Sequence, residues 1–329
     1  MNPNTRFTRR GAAALALTGL AAGRAAWAQD SQPVTIIVPY PAGGASDIVA
    51  RRIAPHLAKA LKMPVVVQNI PGAGGAIGAQ KLLASPADGR TLFYGSPNEL
   101  ILVPTLNAAV KYKPTAFVPV GITTRTPMIL VARTGLPVKN ADELQKYARN
   151  APRELTYGSV GAGSFQHVLG AHIGALMGVK LLHVPYTGAA PMYNDMLGQQ
   201  VDIAVATLSG GALDYVKGGK VTSLGMLTRE RSPLAPQFAT VQESHALKGV
   251  NFTTWGGLFV RATTPAPLVE RLQAAFREAI AVTTLRAGIR SGGSEPMPPM
   301  TAAEQHKLYR DDAARYAKLV KDLNIRIEP

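Results

Sequence analysis

The sequence of 329 residues contains no cysteine. Disulfides, thiolate nucleophiles and cysteine metal sites are therefore excluded. The six histidines are scattered without the spacing of a metal site. Gly72, Gly74 and Gly78 miss the dinucleotide-binding pattern, because Ile77 occupies the position of its third glycine. We therefore expect neither a metal nor a cofactor, and a core that depends on packing alone.

Charged residues are also few, at 17% of the chain, whereas 47% of its residues are hydrophobic. This balance indicates a folded globular protein rather than a disordered one. The net charge is +15, but the lysines and arginines form no basic block, so nucleic acid is not an expected partner. Beyond the N-terminus no segment has the length and apolarity of a membrane span. We expect a soluble monomer that favours a small anion.

The first 28 residues have the features of an export signal. Arg6, Arg9 and Arg10 precede a mildly apolar stretch at residues 11–23, and a small-residue cleavage site ends at Ala28. The paired arginines and the core rich in Ala and Gly favour twin-arginine export, although the general secretory route also fits. Both routes predict a periplasmic protein cleaved after Ala28. Cleavage would remove four arginines and no acidic residue, leaving a net charge of +11.

From residue 33 onward, short β-branched runs alternate with amphipathic stretches, as in parallel α/β units. Strands are predicted at 34–38, 65–67, 91–94, 155–157, 181–184, 201–205 and 221–227, and helices at 46–61, 77–84, 140–147, 164–177, 268–280 and 301–323. The runs 118–131 and 252–260 are interpreted as two crossings between lobes. We therefore predict a signal at 1–28, a discontinuous lobe 1 at 29–124 and 253–329, and a lobe 2 at 125–252, with a hinged cleft between the lobes.

The most specific local feature is the segment PYPAGGASD at residues 39–47. A buried strand ends there in a turn rich in Pro and Gly, and a helix begins at once. Free backbone N–H groups and the positive end of the helix dipole then face the same space, which suits an anion. A purely structural interpretation also fits, with Gly43 and Gly44 in a tight turn and Ser46 as an N-cap.

A second loop, GSVGAGSFQH at residues 158–167, repeats this arrangement in the other series of elements. One such loop from each lobe, facing each other across a cleft, would hold one ligand. A third loop, PGAGGAIG at residues 71–78, is similar, but its direction relative to the cleft stays open.

Four motifs, in this order, carry a resemblance to a known family. They are the segment 39–47, the segment 69–75, the segment 158–167, and PYTG at 185–188 followed by Asp195 and Gly198. The set resembles the Bug, or TctC-type, receptors, which are the periplasmic solute-binding components of tripartite tricarboxylate transporters. The similarity extends from Val34 to Leu272.

The resemblance implies an α/β type II periplasmic-binding-protein fold whose two lobes close on a small carboxylate. It implies the membrane components of a tripartite tricarboxylate transporter as partners. Ligand contacts in the family come largely from main-chain N–H groups, with bridging waters and often without a pairing arginine. The implied ligand-binding residues are Tyr40, Ala42, Gly43, Gly44, Asp47, Ser96, Ser159, Gly161, Ala162, Gly163, Ser164, His167, Tyr186 and Thr207.

Two of these residues keep two interpretations each. Asp47 either accepts hydrogen bonds from the loop N–H groups or contacts the ligand, directly or through water. His167 either packs on its helix or binds the ligand. The segments 206–208 (ATL) and 96–99 (SPNE) depart from the family pattern, which commonly has an aromatic-Asp-Asn type sequence at the first and small polar residues at the second. Both segments are expected to contact the distal end of the ligand. The resemblance therefore does not identify which carboxylate is bound.

Two other functions stay open. A serine hydrolase would use Ser159 with His167 and Asp195 or Asp202, although Tyr157 occupies the first glycine position of a nucleophile elbow. A receptor without a dedicated transporter would act in signalling instead. We predict a binding protein and not an enzyme.

Overall fold

The structure, a computed structural model, describes residues 32–209 and 211–322. The predicted signal at residues 1–28 lies outside these ranges. The strands in them are β1 (Val34–Val38), β2 (Val65–Asn69), β3 (Thr91–Gly95), β4 (Phe117–Arg133), β5 (Leu155–Ser159), β6 (Leu181–Pro185), β7 (Ile203–Thr207), β8 (Val221–Met226), β9 (Thr253–Arg261) and β10 (Glu295–Pro296).

The helices are α1 (Ala45–Leu61), α2 (Ala76–Ala84), α3 (Val103–Leu106), α4 (Ala141–Asn150), α5 (Phe165–Met177), α6 (Ala189–Leu197), α7 (Ala212–Lys217), α8 (Ala266–Ile280), α9 (Thr283–Ser291) and α10 (Ala302–Asp322). A π-helical turn at Asn98–Leu102 directly precedes α3.

The strands lie in the order β2-β1-β3-β9-β4-β7-β5-β6, and β8 and β10 also pair with β4. The strands beside β1 and β5 are parallel, as expected for α/β units, whereas the strands that pair with β4 are antiparallel to it. β4 pairs with β9 up to Pro127 and with β7 from Met128 onward. This 17-residue strand therefore joins two α/β lobes, one around β1 and one around β5.

The spacing of apolar residues accounts for α1, the first helix of the first lobe. Val49, Ile53 and Leu57 of α1 are buried on one face of the helix, against the sheet, as their spacing predicts. The helix ends where Lys62 adopts a left-handed φ of 55°, which returns its N–H to carbonyls of the last turn.

Side-chain caps define two further helices. In α4 the side chain of Asn140 accepts the N–H of Glu143 at 2.9 Å, which confirms the predicted capping signal. Ahead of α10, Thr301 and Glu304 exchange hydrogen bonds between side chain and backbone, which confirms the predicted capping box.

A continuous hydrophobic core joins the two lobes. It contains Phe93 from β3, Leu130 from β4, Phe165 from α5 and Tyr316 from α10. The rings of Tyr316 and Phe165 lie 5.0 Å apart, so the C-terminal helix, which was assigned to lobe 1, also contacts the second lobe. Two smaller clusters lie under α1 with α8 and under α6 with α7.

The expectation of a two-lobed α/β fold with a cleft is confirmed, while the lobe boundaries within the chain stay predictions. The short strand β10 and the helix α9 were not predicted. No helix in the described ranges combines the length and apolar composition needed to cross a bilayer.

Candidate functional site

A cavity of about 100 Å³ lies between the lobes. Its wall comes from the loop after β1, the start of α1 and the end of β3 in the first lobe, and from the starts of α5 and α6 and the end of β7 in the second.

The wall of the cavity combines apolar side chains with hydroxyl and amide groups but carries no ionised side chain. Among the described residues that line it, none is Lys, Arg, His, Asp or Glu. Burial raises the pKa of Tyr40 and Tyr94, the latter to about 12, so both phenols are neutral at pH 7. The hydroxyl groups of the lining belong to Tyr40, Ser46, Tyr94, Ser96, Thr124, Thr126, Thr207, Ser209, Thr254 and Ser294.

The N-terminus of α1 opens into this cavity. Its N-cap, Gly44, has no side chain with which to cap the helix. In the described chain, the N–H groups of Ala45 and Ser46 make no hydrogen bond, and both residues line the cavity. Free donors and the positive end of the helix dipole therefore face the same space.

Asp47 holds the loop in front of α1. Its carboxylate accepts the N–H of Gly43 at 2.9 Å, Nε of Arg51 at 3.0 Å and Nδ2 of Asn69 at 2.9 Å. Burial raises the pKa of Asp47, but the hydrogen bonds from Arg51, Gly43 and Asn69 outweigh burial and lower it overall. The geometry favours the loop-anchoring interpretation of Asp47, and it occupies the Gly43 N–H that was expected to reach a ligand.

A second uncapped helix N-terminus faces the cavity from the other lobe. α6 begins after Gly188, and the N–H groups of Ala189 and Ala190 find no acceptor within the described residues. All three residues line the cavity. A Cβ atom built on Gly188 would lie 3.1 Å from Cδ of Pro41, so the two helix-capping loops approach each other across the cleft.

Two N–H groups of the glycine loop before α5 donate to side chains of the same segment. The N–H of Gly161 donates to Oγ of Ser159 at 3.2 Å. The N–H of Gly163 donates to Nδ1 of His167 at 3.1 Å. Gly161 itself packs on the third glycine loop, since a Cβ built on it would lie 3.2 Å from Cα of Gly74. The third loop, whose direction the sequence left open, therefore contacts the second loop.

His167 and His183 stack in the second lobe, with ring centroids 3.9 Å apart and ring planes 4° apart. Oγ of Ser159 lies 2.7 Å from Nε2 of His183. Burial lowers the pKa of His167, and burial together with the neighbouring His167 lowers the pKa of His183 to about 3. Both imidazoles are therefore neutral at pH 7. No metal-binding group of three or more His, Asp or Glu side chains occurs in the described ranges.

The structure does not assemble the triad that a serine hydrolase would need. Ser159 is fully buried and does not line the cavity. Its partner is His183 rather than His167, the histidine proposed for the triad. Asp195 accepts the hydroxyl of Tyr186 at 2.7 Å, while Asp202 binds arginines elsewhere in the lobe, at 2.7 and 3.0 Å.

The predicted ligand-binding residues are divided between the cavity wall and its supports. Those that line the cavity are Tyr40, Ala42, Gly44, Ser96 and Thr207. Those that do not line it are Gly43, Asp47, Ser159, Gly161, Ala162, Gly163, Ser164, His167 and Tyr186. Ser164 caps α5 by accepting the N–H of His167 at 3.2 Å. A role in binding stays a prediction for every member of the set.

Several residues at the site were missed by sequence reasoning. Asn98 joins the lobes: its Oδ1 accepts the N–H of Phe165 at 2.6 Å, and its Nδ2 lies 3.3 Å from Oε1 of Gln166. The only signal for Asn98 was its place in the segment 96–99, which departs from the family pattern. Ala189 and Ala190 had a clearer signal, because a glycine separates a strand from a helix directly before them.

Comparisons with known proteins show which family the chain belongs to. The model of the TctC family, described as "Tripartite tricarboxylate transporter family receptor", matches residues 49–325. The chain belongs to this family. A relative from Agrobacterium vitis, named as a UPF0065 protein, is 32% identical over 328 residues, which cover 97% of this chain and 92% of the relative.

Solved structures of similar proteins place this TctC-family receptor among periplasmic binding proteins in fold. The periplasmic binding protein BugD is 28% identical with a TM-score of 0.84, over 90% of this chain and 99% of BugD. MatC from Rhodopseudomonas palustris, solved with bound malate, is 29% identical with a TM-score of 0.82, over 88% and 98%. A second R. palustris protein, solved with adipate, is 28% identical with a TM-score of 0.84, over 89% and 98%. The chain is thus a solute-binding receptor of the TctC family.

Proposed function

We propose that this receptor captures a small carboxylate in the cavity between its lobes, using the N–H groups at the starts of α1 and α6. The observation that carries the proposal is the pair of uncapped helix N-termini, one from each lobe. Ala45 and Ser46 supply free donors on one side, and Ala189 and Ala190 supply them on the other. This assignment moves the second-lobe donors from the glycine loop before α5 to the loop before α6.

Neutral donors suit a site that must also exist empty. A buried, unpaired cation would be costly in the ligand-free protein, whereas an N–H group at a helix terminus is readily hydrated. Each charge-assisted hydrogen bond to a carboxylate contributes about 1.5–3 kcal/mol net. A few such bonds from each lobe therefore suffice for micromolar binding after the cost of association.

The ligands of the similar structures support a short dicarboxylate. Malate and adipate, bound in two of the R. palustris structures, belong to this class. Two opposed helix N-termini would bind the two ends of such an acid, or both would contact one end.

The family further supports export to the periplasm and delivery of the ligand to the membrane components of a tripartite tricarboxylate transporter. Ligand bound between the lobes would shift the population toward the closed form, which the transporter would then contact. A receptor that acts in signalling would bind the same acid. If cells that lack the receptor gene still transport this acid, the signalling alternative is favoured.

Calorimetric titration of the mature protein with a panel of mono-, di- and tricarboxylates tests the proposal. We expect one-to-one binding of at least one dicarboxylate, and no binding across the panel would contradict the proposed function. Turnover of an ester or amide that is lost in Ser159→Ala would instead support the hydrolase alternative.

Proline at the first helical position tests the donors themselves, because it removes one N–H and is well tolerated there. Ala45→Pro and Ala189→Pro should each weaken binding by about tenfold or more, the loss expected for one charge-assisted hydrogen bond. Thr283→Pro, at the exposed first position of α9, is the matched control and should bind as the wild type does.

A further inference from the structure

Glu99 is a fully buried carboxyl group directly behind the wall of the cavity. It lies in the π-helical turn Asn98–Leu102, a kind of distortion that is frequent at functional sites. Glu99 itself does not line the cavity, but Tyr40, Ser96 and Asn98, which it or its neighbours contact, do so. The carboxyl group therefore does not contact a molecule in the cavity, and its hydrogen bonds affect the wall through these side chains.

Two hydroxyl groups of the wall donate to the same oxygen of Glu99. The hydroxyl of Tyr40 and the hydroxyl of Ser96 each lie 3.0 Å from its Oε2. The N–H of Ser96 donates to the other oxygen, Oε1. An ionised Glu99 thus directs the single hydrogen of both hydroxyls away from the cavity.

Asn98 fixes the direction of these bonds. Its Nδ2 donates to the hydroxyl oxygen of Tyr40 at 3.1 Å, and its N–H donates to Oγ of Ser96 at 3.3 Å. The amide orientation is determined because Oδ1 accepts the N–H of Phe165, which can only donate. Since an ionised carboxylate can only accept, the bond between each hydroxyl and Glu99 is one that the hydroxyl donates.

The charge of Glu99 has no partner nearby. It forms no salt bridge within the described ranges, and the titratable groups that act on it are the phenols of Tyr40, Tyr94, Tyr112 and Tyr309. Tyr112 donates to its backbone carbonyl at 2.7 Å and not to its carboxylate. Burial raises the pKa of Glu99. The hydrogen bonds from Ser96 and Tyr40 lower it only in part, and the resulting pKa is about 7.

We propose that Glu99 takes up one proton when a carboxylate binds in the cavity, and that this proton turns a hydroxyl of Tyr40 or Ser96 into a donor for the ligand. The inference rests on the proposed function, since it requires an anion in the cavity. Glu99 is then a positioning residue, which never touches the ligand and sets what the wall offers to it.

The rearrangement conserves every hydrogen. A proton from solvent binds Oε2, because Oε1 already accepts from the Ser96 N–H. Oε2 then donates to one of the two hydroxyl oxygens, whose second lone pair is free. That hydroxyl no longer has an acceptor in Glu99, so its hydrogen turns to the cavity and meets a carboxylate oxygen.

The ionised and protonated states favour different ligand groups. With Glu99 ionised, the wall presents hydroxyl lone pairs backed by a buried negative charge, an arrangement that repels a carboxylate and accepts a ligand hydroxyl. With Glu99 protonated, the wall presents one more donor and no charge. The segment 96–99 is therefore the part of the chain that couples carboxylate affinity to pH.

Calorimetry with malate and adipate as probes, each in phosphate and in Tris, measures proton uptake from the difference in apparent enthalpy. As the pH is raised above the pKa of Glu99, we expect the proton uptake on binding to rise toward about one proton per ligand. In the same pH range the affinity for the ligand should fall by up to about tenfold per pH unit. In Glu99→Gln the amide Nε2 replaces Oε2 as a permanent donor and mimics the protonated state. This variant should bind without proton uptake and with an affinity that does not change with pH.

Glu270→Gln, an exposed change of the same charge, is the matched control and should retain the proton uptake of the wild type. Binding of a panel acid without proton uptake by the wild type, or uptake that persists in Glu99→Gln, would overturn the coupling and leave the proposed function intact. Absence of binding by every acid of the panel would overturn the proposed function itself. If Glu99→Gln does not fold, an NMR titration of the carboxyl carbons in the wild type gives the same test. The pKa of Glu99 must then rise when the protein is saturated with malate or adipate.

Discussion

A Cβ atom on Gly161 in the second lobe would lie only 3.2 Å from the Cα atom of Gly74 in the first. The reciprocal contact is equally tight, since a Cβ on Gly74 would lie 3.2 Å from the carbonyl oxygen of Ala162. Two glycines therefore allow the lobes to meet at this point. We infer that these residues serve closure of the receptor rather than direct contact with the ligand.

Gly161→Ala should weaken carboxylate binding, because the added methyl group would push against Gly74 at the point where the lobes meet. Gly161 also has a φ of 138°, which an alanine adopts only with strain. We expect an affinity loss of about tenfold, equivalent to about 1.4 kcal/mol, measured by calorimetry with the tightest-binding dicarboxylate of the panel.

Gly249→Ala separates the clash from the backbone strain. Gly249 has a φ of 92°, and a Cβ built on it meets nothing within 4 Å. This control should lower the free energy of unfolding by about 1–2 kcal/mol without changing affinity. Equal affinity losses in both variants would show that the contact of Gly161 with Gly74 has no part in closure.

Asn98→Ala should impair both stability and binding. It would leave the buried N–H of Phe165 without an acceptor and free the Tyr40 hydroxyl from one of its two partners. We expect a loss of about 1–3 kcal/mol in the free energy of unfolding, measured by denaturant titration, and weaker binding in calorimetry. Asn150→Ala, at an exposed position at the end of α4, should change neither by more than about 0.5 kcal/mol.

Much of the fold follows from local sequence patterns. The apolar period of α1, the capping residues Asn140 and Thr301, and the β-branched runs each fixed an element to within a few residues. The strand predicted at 201–205 begins only at Ile203, because Asp202 precedes it as the acceptor of two arginines. This shift in the start of the strand depends on contacts with residues distant in sequence, about which the local hydrophobic pattern carries no information.

The site was less accessible to sequence reasoning, because donors at a loop are free only if nothing else in the fold accepts them. The loop before α5 is as rich in glycine as the loop before α1, yet Asn98 takes the N–H of Phe165 and His167 takes that of Gly163. The acceptor Asn98 is 67 residues from Phe165 in sequence. The glycine pattern therefore predicted two loops between a strand and a helix, which the structure contains, while the occupancy of their N–H groups required the structure.

Asp202→Asn should destabilise the second lobe. Burial raises the pKa of Asp202, but hydrogen bonds from Arg153, Thr156 and Arg133 lower it overall. A lowered pKa means that the stabilisation is present above the unfolded value, 3.8, and is lost as the pH falls through the folded one. At pH 7 we expect a loss of about 3 kcal/mol in the free energy of unfolding, measured with denaturant, that shrinks in acid.

The exposed pair of Arg231 and Glu243 provides the control for this ion pair. Both side chains are 46% exposed, although their atoms approach to 2.7 Å. Because solvent screens such a pair, Glu243→Gln should cost less than about 1 kcal/mol. A loss in Asp202→Asn no larger than this would show that its arginines find other acceptors.

The pH dependence of stability provides a ligand-free test of Glu99. Burial raises its pKa from 4.5 to about 7, so the folded state binds the proton more tightly than the unfolded state does. The resulting stabilisation is fully present below the unfolded pKa and is lost as the pH rises through the folded pKa. Relative to Glu99→Gln, the wild type should therefore lose about 3 kcal/mol between pH values near 4.5 and near 8. Denaturant titrations across this range measure the difference, and Glu270→Gln should follow the wild type. Parallel curves for wild type and Glu99→Gln would mean that Glu99 is ionised throughout, with both hydroxyl hydrogens permanently turned from the cavity.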